Sequence, residues 1–273
     1  MPPIWALRAR KVATIKPSIY TNYWCSYMLR TSIEVNFLFS PLYIIRKIDL
    51  KKKVNIIQNT IIMESIKLLF EAKRFIQIIN ETYETYFKYG SRSPKKVDYF
   101  HSSIKDILER HFTCEKGYDI QLEYNINSCN SSKKKKCDIV VLKNKIPYII
   151  FPVKIIMSNY KQNKNNSWEN LTGELIHIKW CNPDIYILPI NILMDKTPYL
   201  NNNKEIKNFE NITTNDIENY NQLLKHNICY DIINYIVEVE HIKKKGECFD
   251  KIQPIKKFIT PYRSFSSILS KLL

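Results

Sequence analysis

Two charged residues, Asp138 and Lys154, lie within apolar segments that are predicted to pair as a β-hairpin. The two segments read CDIVVL and IPYIIFPVKIIM. If the turn spans residues 144–146, position 138 lies opposite Pro152, and side-chain alternation puts positions 152 and 154 on one face. A carboxylate and an ammonium group would then converge at one end of the hairpin. Because an isolated charge is costly to bury, the pair on its own indicates a salt bridge at the strand ends or a lysine that reaches solvent.

The elements that must position this pair follow from hydrophobic periodicity and from helix start and stop signals. A helix is predicted over residues 63–90, and residues 218–242 also have helical spacing. Between them the chain is predicted to form a helix at residues 93–112 and three strands at residues 118–126, 137–142 and 146–157. They are followed by a polar loop at 158–166, a second helix at 167–180 that is capped by Ser167, and a buried strand at 185–194.

This order of elements, together with Asp138 and Lys154, resembles the core of the PD-(D/E)XK nuclease superfamily over roughly residues 98–194. The resemblance implies an α/β fold with a mixed α+β sheet, a restriction-endonuclease-like αβββαβ core and helices on both faces. It also implies metal-dependent hydrolysis of DNA phosphodiester bonds, of the restriction type. By position, Asp138 matches the acid that holds the metal and Lys154 matches the lysine that polarises the attacking water. The second acidic position of the motif holds Pro152, which cannot bind a metal.

The missing acid has candidates on the neighbouring helices. Some members of the superfamily move it to the following helix, where this chain has Glu169 in the predicted first turn and Glu174 further on. Glu109 on the first helix resembles an extra acid that some members carry, and Asp106 competes with it. The resemblance therefore implies Mg²⁺ or Mn²⁺ held by Asp138 and Glu169. A structural interpretation of these acids is equally simple. The negative charge of Glu169 would be favourable in the first turn of a helix because of the helix dipole, and Glu174 and Glu109 would lie on solvent-exposed faces.

The charge of the chain favours a nucleic-acid partner. Lys and Arg number 42 against 26 Asp and Glu, a formal charge of +16, and so basic a protein is expected to bind a polyanion. Two predicted loops that flank the hairpin supply candidate backbone contacts: Lys133, Lys134, Lys135, Lys136, Lys161, Asn163, Lys164 and Asn166. Double-stranded DNA is the expected partner, and a homodimer fits the resemblance. Coding by an AT-rich genome explains part of the charge. The alternatives are a catalytically inactive nucleic-acid-binding protein on the same fold and a purely structural module.

Several other classes of protein are excluded or disfavoured. Four glycines cannot build a phosphate-cradling loop or a dinucleotide fingerprint. No stretch of about 18 residues is apolar and free of charge, and no signal peptide is recognisable, so an intracellular protein without membrane contact is expected. The seven cysteines form no CxxC pair and indicate unpaired thiols in a reducing compartment. The five dispersed histidines are interpreted as surface or internally satisfied residues.

The first 62 residues differ from the rest of the chain. They carry half of the net charge and no sustained helical or strand period. An over-extended reading frame with Met63 as the true start, a targeting sequence and a basic arm that touches nucleic acid are the three interpretations. The predicted organisation is a basic extension at 1–62 and a nuclease-like domain at 63–273, with its core at 98–194 and a helical addition at 195–273.

Overall fold

The structure is a computed structural model that describes residues 41–90 and 93–273, except for the side chains of residues 41–52 and 55. Internal contacts divide the chain into two units, residues 1–60 and 61–273. The interpretations of the N-terminal extension fall mostly outside the described residues. Among the described residues, no helix is both long enough and apolar enough to cross a membrane.

The helices begin and end at places that the sequence predicts only in part. Among the described residues, five α-helices are present: α1 (Pro41–Tyr89), α2 (Lys95–Leu108), α3 (Tyr160–Cys181), α4 (Asn221–Lys225) and α5 (Phe265–Leu269). Two 3₁₀-helices in the same part of the chain cover Cys114–Lys116 and Thr214–Tyr220. The helix predicted from Met63 begins earlier, at Pro41. The single helix predicted over residues 218–242 is wrong, because its second half contains a strand.

The loop predicted at residues 158–166 is also wrong, because α3 begins at Tyr160 rather than at Ser167. Contacts with distant residues stabilise this polar first turn. The hydroxyl of Tyr160 donates a hydrogen bond to the carbonyl oxygen of Asp216 (2.9 Å), and the amide of Lys161 donates to Glu210 (3.0 Å). These partners lie about fifty residues away in sequence, so local spacing cannot reveal them.

In the part of the chain that the structure describes, nine strands form three sheets. They are β1 (Tyr118–Asn127), β2 (Lys134–Lys143), β3 (Ile146–Phe151), β4 (Val153–Ile156), β5 (Tyr186–Ile187), β6 (Ile190–Met194), β7 (Lys196–Leu200), β8 (Ile206–Asn211) and β9 (Ile233–Val237). The strand orders are β1-β2-β3-β5, β4-β6-β9 and β7-β8. The β1-β2, β2-β3 and β7-β8 pairs are antiparallel, and the others are parallel. The predicted α/β class with a mixed sheet is confirmed.

Two prolines mark where the first two sheets meet. Pro152 separates β3 from β4, and Pro189 lies between β5 and β6. Proline cannot donate to a strand ladder, so it interrupts both strands at neighbouring points. The pairing continues across the gap, because the amide of Ile190 donates to the carbonyl of Pro152 (2.8 Å). If β3 and β4 count as one interrupted strand, and likewise β5 and β6, the order from α2 is helix, three strands, helix, strand, as predicted.

Two apolar cores lie on opposite faces of the strands. The first core contains the buried face of α2, and the second contains the buried face of α3. In β2, Ile139 and Val141 pack into the first core, and Val140 and Leu142 pack into the second. Cover on both faces explains why the strands read as nearly continuous apolar runs.

Two of the cysteines predicted as unpaired form a disulfide. Cys129, which follows β1, is bonded to Cys181 at the end of α3, with their Cα atoms 6.0 Å apart. Cys114, Cys137, Cys229 and Cys248 are free thiols. The prediction of unpaired thiols is therefore wrong for Cys129 and Cys181, whose sequence spacing of 52 residues gave no pairing signal.

Candidate metal centre

Three side chains from three elements converge beside the first core. They are His101 of α2, Glu123 of β1 and Asp138 of β2, and each offers a ligand atom within 4.8 Å of the others. His101 is buried, Asp138 is partly buried and Glu123 is exposed. The cluster therefore has a buried end at the imidazole and opens to solvent at Glu123.

The regular alternation of side chains between the two faces of the sheet is broken in β2 at Asp138. Regular alternation would put Cys137 on the same face as Ile139, in the first core. Cys137 instead packs into the second core. The switch of face between these two residues lets the carboxylate of Asp138 point toward α2, next to His101.

The alternation of side chains is broken at the same level in β1, the strand that pairs with this part of β2. Leu122 of β1 packs against the first core, yet Tyr124, two residues later, packs against the second. Glu123 between them has a left-handed backbone, with φ of 54°. Leu122 pairs with Ile139 and Tyr124 pairs with Cys137, so Glu123 lies opposite Asp138. Left-handed backbone is uncommon for residues other than glycine, and such outliers concentrate at functional sites.

The environment of Asp138 disfavours its charge in the absence of a cation. Burial raises the pKa of the Asp138 carboxyl, and the negative charges of Glu123 and Glu174 raise it further. A hydrogen bond from the amide of Val153 to Asp138 Oδ2 (2.7 Å) and the nearby imidazole of His101 act in the opposite direction. A positive ion at this point would offset the cost of burying the carboxylate.

The imidazole of His101 is buried without a hydrogen-bond partner. It is 1% exposed, and neither ring nitrogen has a hydrogen bond to any residue that the structure describes. Its Nδ1 lies 3.4 Å from Glu123 Oε1, which is an ion-pair distance without hydrogen-bond geometry. Burial lowers the pKa of His101, against the opposing effect of the nearby carboxylates, so the ring is neutral at physiological pH. A neutral imidazole has a lone pair available for a metal.

These donors fit a divalent metal ion. Buried polar atoms in native proteins are nearly always paired, and a metal ion bound at one ring nitrogen of His101 would give that nitrogen a partner. One imidazole and two carboxylates leave further coordination positions for water or substrate. Carboxylates suit Mg²⁺ and Mn²⁺, whereas imidazole suits the transition metals, so the mixed set favours Mn²⁺ over Mg²⁺.

The structure does not bring Lys154 to Asp138. Position 138 does lie opposite position 152, since Ile139 pairs with Phe151. However, the neighbours of Lys154, Val153 and Ile155, pack against the first core, so alternation turns Lys154 to the opposite face. The two side chains form no ion pair within the part of the chain that the structure describes. The broken alternation at Asp138 is the physical reason, because it puts the carboxylate on the face of the sheet opposite to Lys154.

The predicted acids of the helices lie elsewhere. Glu169 is exposed and lies in the third turn of α3, because that helix begins at Tyr160. Glu174 forms an ion pair with Lys135 (2.9 Å). Glu109 follows α2 at its C-cap, exposed and 3.8 Å from Lys105, and the competing residue, Asp106, is also exposed. His101 is the residue of α2 that lies in the cluster.

Three of the predicted nucleic-acid contacts form ion pairs. Lys136 forms an ion pair with Glu123 (2.8 Å), Lys135 with Glu174 and Lys164 with Asp216 (3.1 Å). The others are exposed, in or just before β2 and in the first two turns of α3: Lys133, Lys134, Lys161, Asn163 and Asn166.

Sequence reasoning missed His101 and Glu123. His101 had a signal, because it falls on the helical stripe of Ile104 and Leu108 and was therefore due to face the core. Glu123 had none, since it occupies a polar position of an alternating strand and reaches the cluster through its left-handed backbone.

No protein-family model matches the chain, and no curated protein or solved structure is significantly similar to it.

Proposed function

We propose that this chain is a divalent-metal-dependent nuclease whose metal ligands are His101, Glu123 and Asp138. The observation that carries the proposal is a buried, neutral imidazole with both nitrogens unpaired beside two carboxylates. The predicted pair of Asp138 and Glu169 is replaced in this proposal, because Glu169 is an exposed residue of α3.

Each member of the cluster has a distinct role in the proposal. Asp138 is oriented by the amide of Val153, and His101 is fixed by its place in the buried face of α2. Glu123 is the exposed ligand, at the side of the cluster that opens to solvent. A bound metal would supply Lewis acidity and a water of lowered pKa. Lys136, exposed beside Glu123, would contact a substrate phosphate.

Nucleic acid is the substrate class that the charge favours. A formal charge of +16 predicts attraction to a polyanion, and the exposed lysines near the start of β2 lie close in sequence to Asp138. The resemblance of the element order to PD-(D/E)XK nucleases supports the same class. Action on duplex DNA by a homodimer, as in restriction enzymes, stays a prediction.

The test is cleavage of labelled duplex DNA, single-stranded DNA and RNA with Mn²⁺, Mg²⁺ or a chelator. We expect cleavage with Mn²⁺, weaker cleavage with Mg²⁺ and none with the chelator. Asp138→Asn should abolish cleavage and lower Mn²⁺ affinity at least about 100-fold, because it removes a charged ligand. Glu169→Gln is the matched control and should behave like the wild type. Equal cleavage by Asp138→Asn and wild type would contradict the proposal.

A non-catalytic nucleic-acid-binding protein is the second candidate. Two observations favour it: Pro152 occupies the second acidic position of the motif, and Lys154 is turned away from Asp138. This candidate predicts binding that weakens steeply with salt and no cleavage with any divalent metal. A protein that neither cuts nor binds nucleic acid would exclude both.

A further inference from the structure

A second candidate site lies at the carboxyl ends of two parallel strands. It is a cavity of about 840 Å³ beyond the last residues of β6 and β9, Met194 and Val237. Carboxyl ends of parallel strands are the usual position for ligand sites in α/β proteins. The cavity shares no residue with the cluster of His101, Glu123 and Asp138, which contacts the first residue of β4.

The cavity has an excess of positive charge. Three carboxylates line it, of which Glu238 forms an ion pair with Lys257 (2.7 Å) and Asp195 accepts a hydrogen bond from the amide of Val239 (2.8 Å). The third is Glu240. Five lysines line it: Lys196, Lys243, Lys244, Lys245 and Lys256. Only Lys243 of these five has an ion pair, with Asp250, among the residues that the structure describes. Five lysines against three carboxylates leave an excess of positive charge, which favours an anionic ligand.

One wall of the cavity is aromatic. Phe209 and His241 both line it, with ring centroids 4.4 Å apart. His241 Nε2 lies 2.6 Å from the carbonyl oxygen of Lys196, so this nitrogen carries the proton and donates. Nδ1 is then an acceptor, and it is buried without a hydrogen-bond partner in the described part of the chain. The two rings are tilted by 43° to each other, and an aromatic wall of this kind suits a planar ligand.

We propose that this cavity binds one unstacked nucleotide of a single-stranded nucleic acid. The base lies against Phe209 and His241, and the adjoining phosphates lie on the lysines. Aromatic platforms beside a basic groove are the common means of holding single strands, whereas the bases of a duplex remain stacked and cannot enter. The inference rests on the proposal that the chain acts on nucleic acid. It does not require a metal at His101, so it can be tested with a chelator present.

The experiment measures the affinity of fluorescein-labelled oligothymidylate, about 12 nucleotides long, in EDTA over a range of salt concentrations. The double variant Lys244→Glu/Lys245→Glu should weaken binding and make the salt slope less steep by about 1.4, since each single-strand phosphate contact contributes about 0.7. Lys116→Glu/Lys271→Glu is the matched control, because it changes the same charge at two exposed lysines outside the cavity. Phe209→Leu keeps an apolar side chain but removes the ring, and should weaken binding about tenfold. Melting curves confirm that each variant is folded.

The outcomes separate this inference from the proposed nuclease. Equal weakening by the cavity variant and the control variant would overturn the inference, because general charge would then explain binding. Tighter binding of the matching duplex than of the single strand would also overturn it. If cleavage is absent but binding depends on Lys244, Lys245 and Phe209, the inference stands and the nuclease fails. If cleavage occurs and the single strand is not bound, the nuclease stands and the inference fails.

Discussion

The polar residues beside the two cores differ in kind: those beside the first core are ionisable, and those beside the second include a neutral amide pair. Beside the first core, His101 and Asp138 combine an unpaired imidazole with a carboxylate whose pKa is raised by burial. On the face of the second core, Asn191 of β6 donates a hydrogen bond from Nδ2 to Oδ1 of Asn234 in β9 (2.7 Å), and Lys154 lies in register with Asn191. The amide pair is neutral, and Oδ1 of Asn191 is buried without a partner among the residues that the structure describes. The first group gathers two ionisable side chains whose charged forms are disfavoured by burial, which a purely structural role does not explain.

Exchanging Asp and Asn between the two faces should have opposite effects on stability. Asn191 is fully buried, so Asn191→Asp should lower the free energy of unfolding by about 3 kcal/mol or more, because it buries an unpaired charge. Asp138→Asn should raise the melting temperature of the metal-free protein at neutral pH. The folded pKa of Asp138 is raised, so its ionisation removes stability as the pH rises above the ordinary value of 3.8. Denaturant unfolding in EDTA measures both changes, and destabilisation by Asp138→Asn would contradict the comparison.

The pH dependence of metal affinity should identify the first group as the ligand set. The pKa of His101 is lowered below 6.5, so protons compete for its imidazole only in acid, and the raised pKa of Asp138 extends proton competition for the carboxylate above pH 3.8. Mn²⁺ affinity should therefore fall as the solution is acidified below about pH 6.5. Calorimetric titration at several pH values measures this. An affinity that still rises steeply above pH 7 would point to ligands outside the cluster.

The smallest expected effect belongs to Lys154. Because it lies on the face opposite to Asp138, Lys154→Met should leave Mn²⁺ affinity within about twofold of the wild type, as for sites that share no partner. The motif of the nuclease family predicts instead that cleavage is lost with this lysine. Parallel measurements of metal affinity and cleavage separate the two expectations. A large loss of Mn²⁺ affinity would show that Lys154 reaches the cluster.

The sequence predicted the frame of the molecule better than its site. The hairpin of β2 and β3 and the order of elements from α2 to β6 follow from local apolar patterns, which report burial directly. The start of α3 depended on partners distant in sequence, such as Asp216. The cluster depends on a change in which face of the sheet the side chains occupy, at Glu123 of β1 and at Asp138 of β2. A reading of the sequence by side-chain alternation assumes that no such change occurs. The sequence places His101 on the buried face of its helix, but only the structure shows that Glu123 and Asp138 lie beside it.

Anomalous scattering from a crystal soaked in Mn²⁺ tests the metal centre most directly. A single strong peak at coordination distance from His101, Glu123 and Asp138 is the predicted result, and the same soak of Asp138→Asn should lose it. A peak held instead by Glu169 or Glu174, or no peak beside Asp138 in a crystal that binds Mn²⁺ elsewhere, would contradict the account.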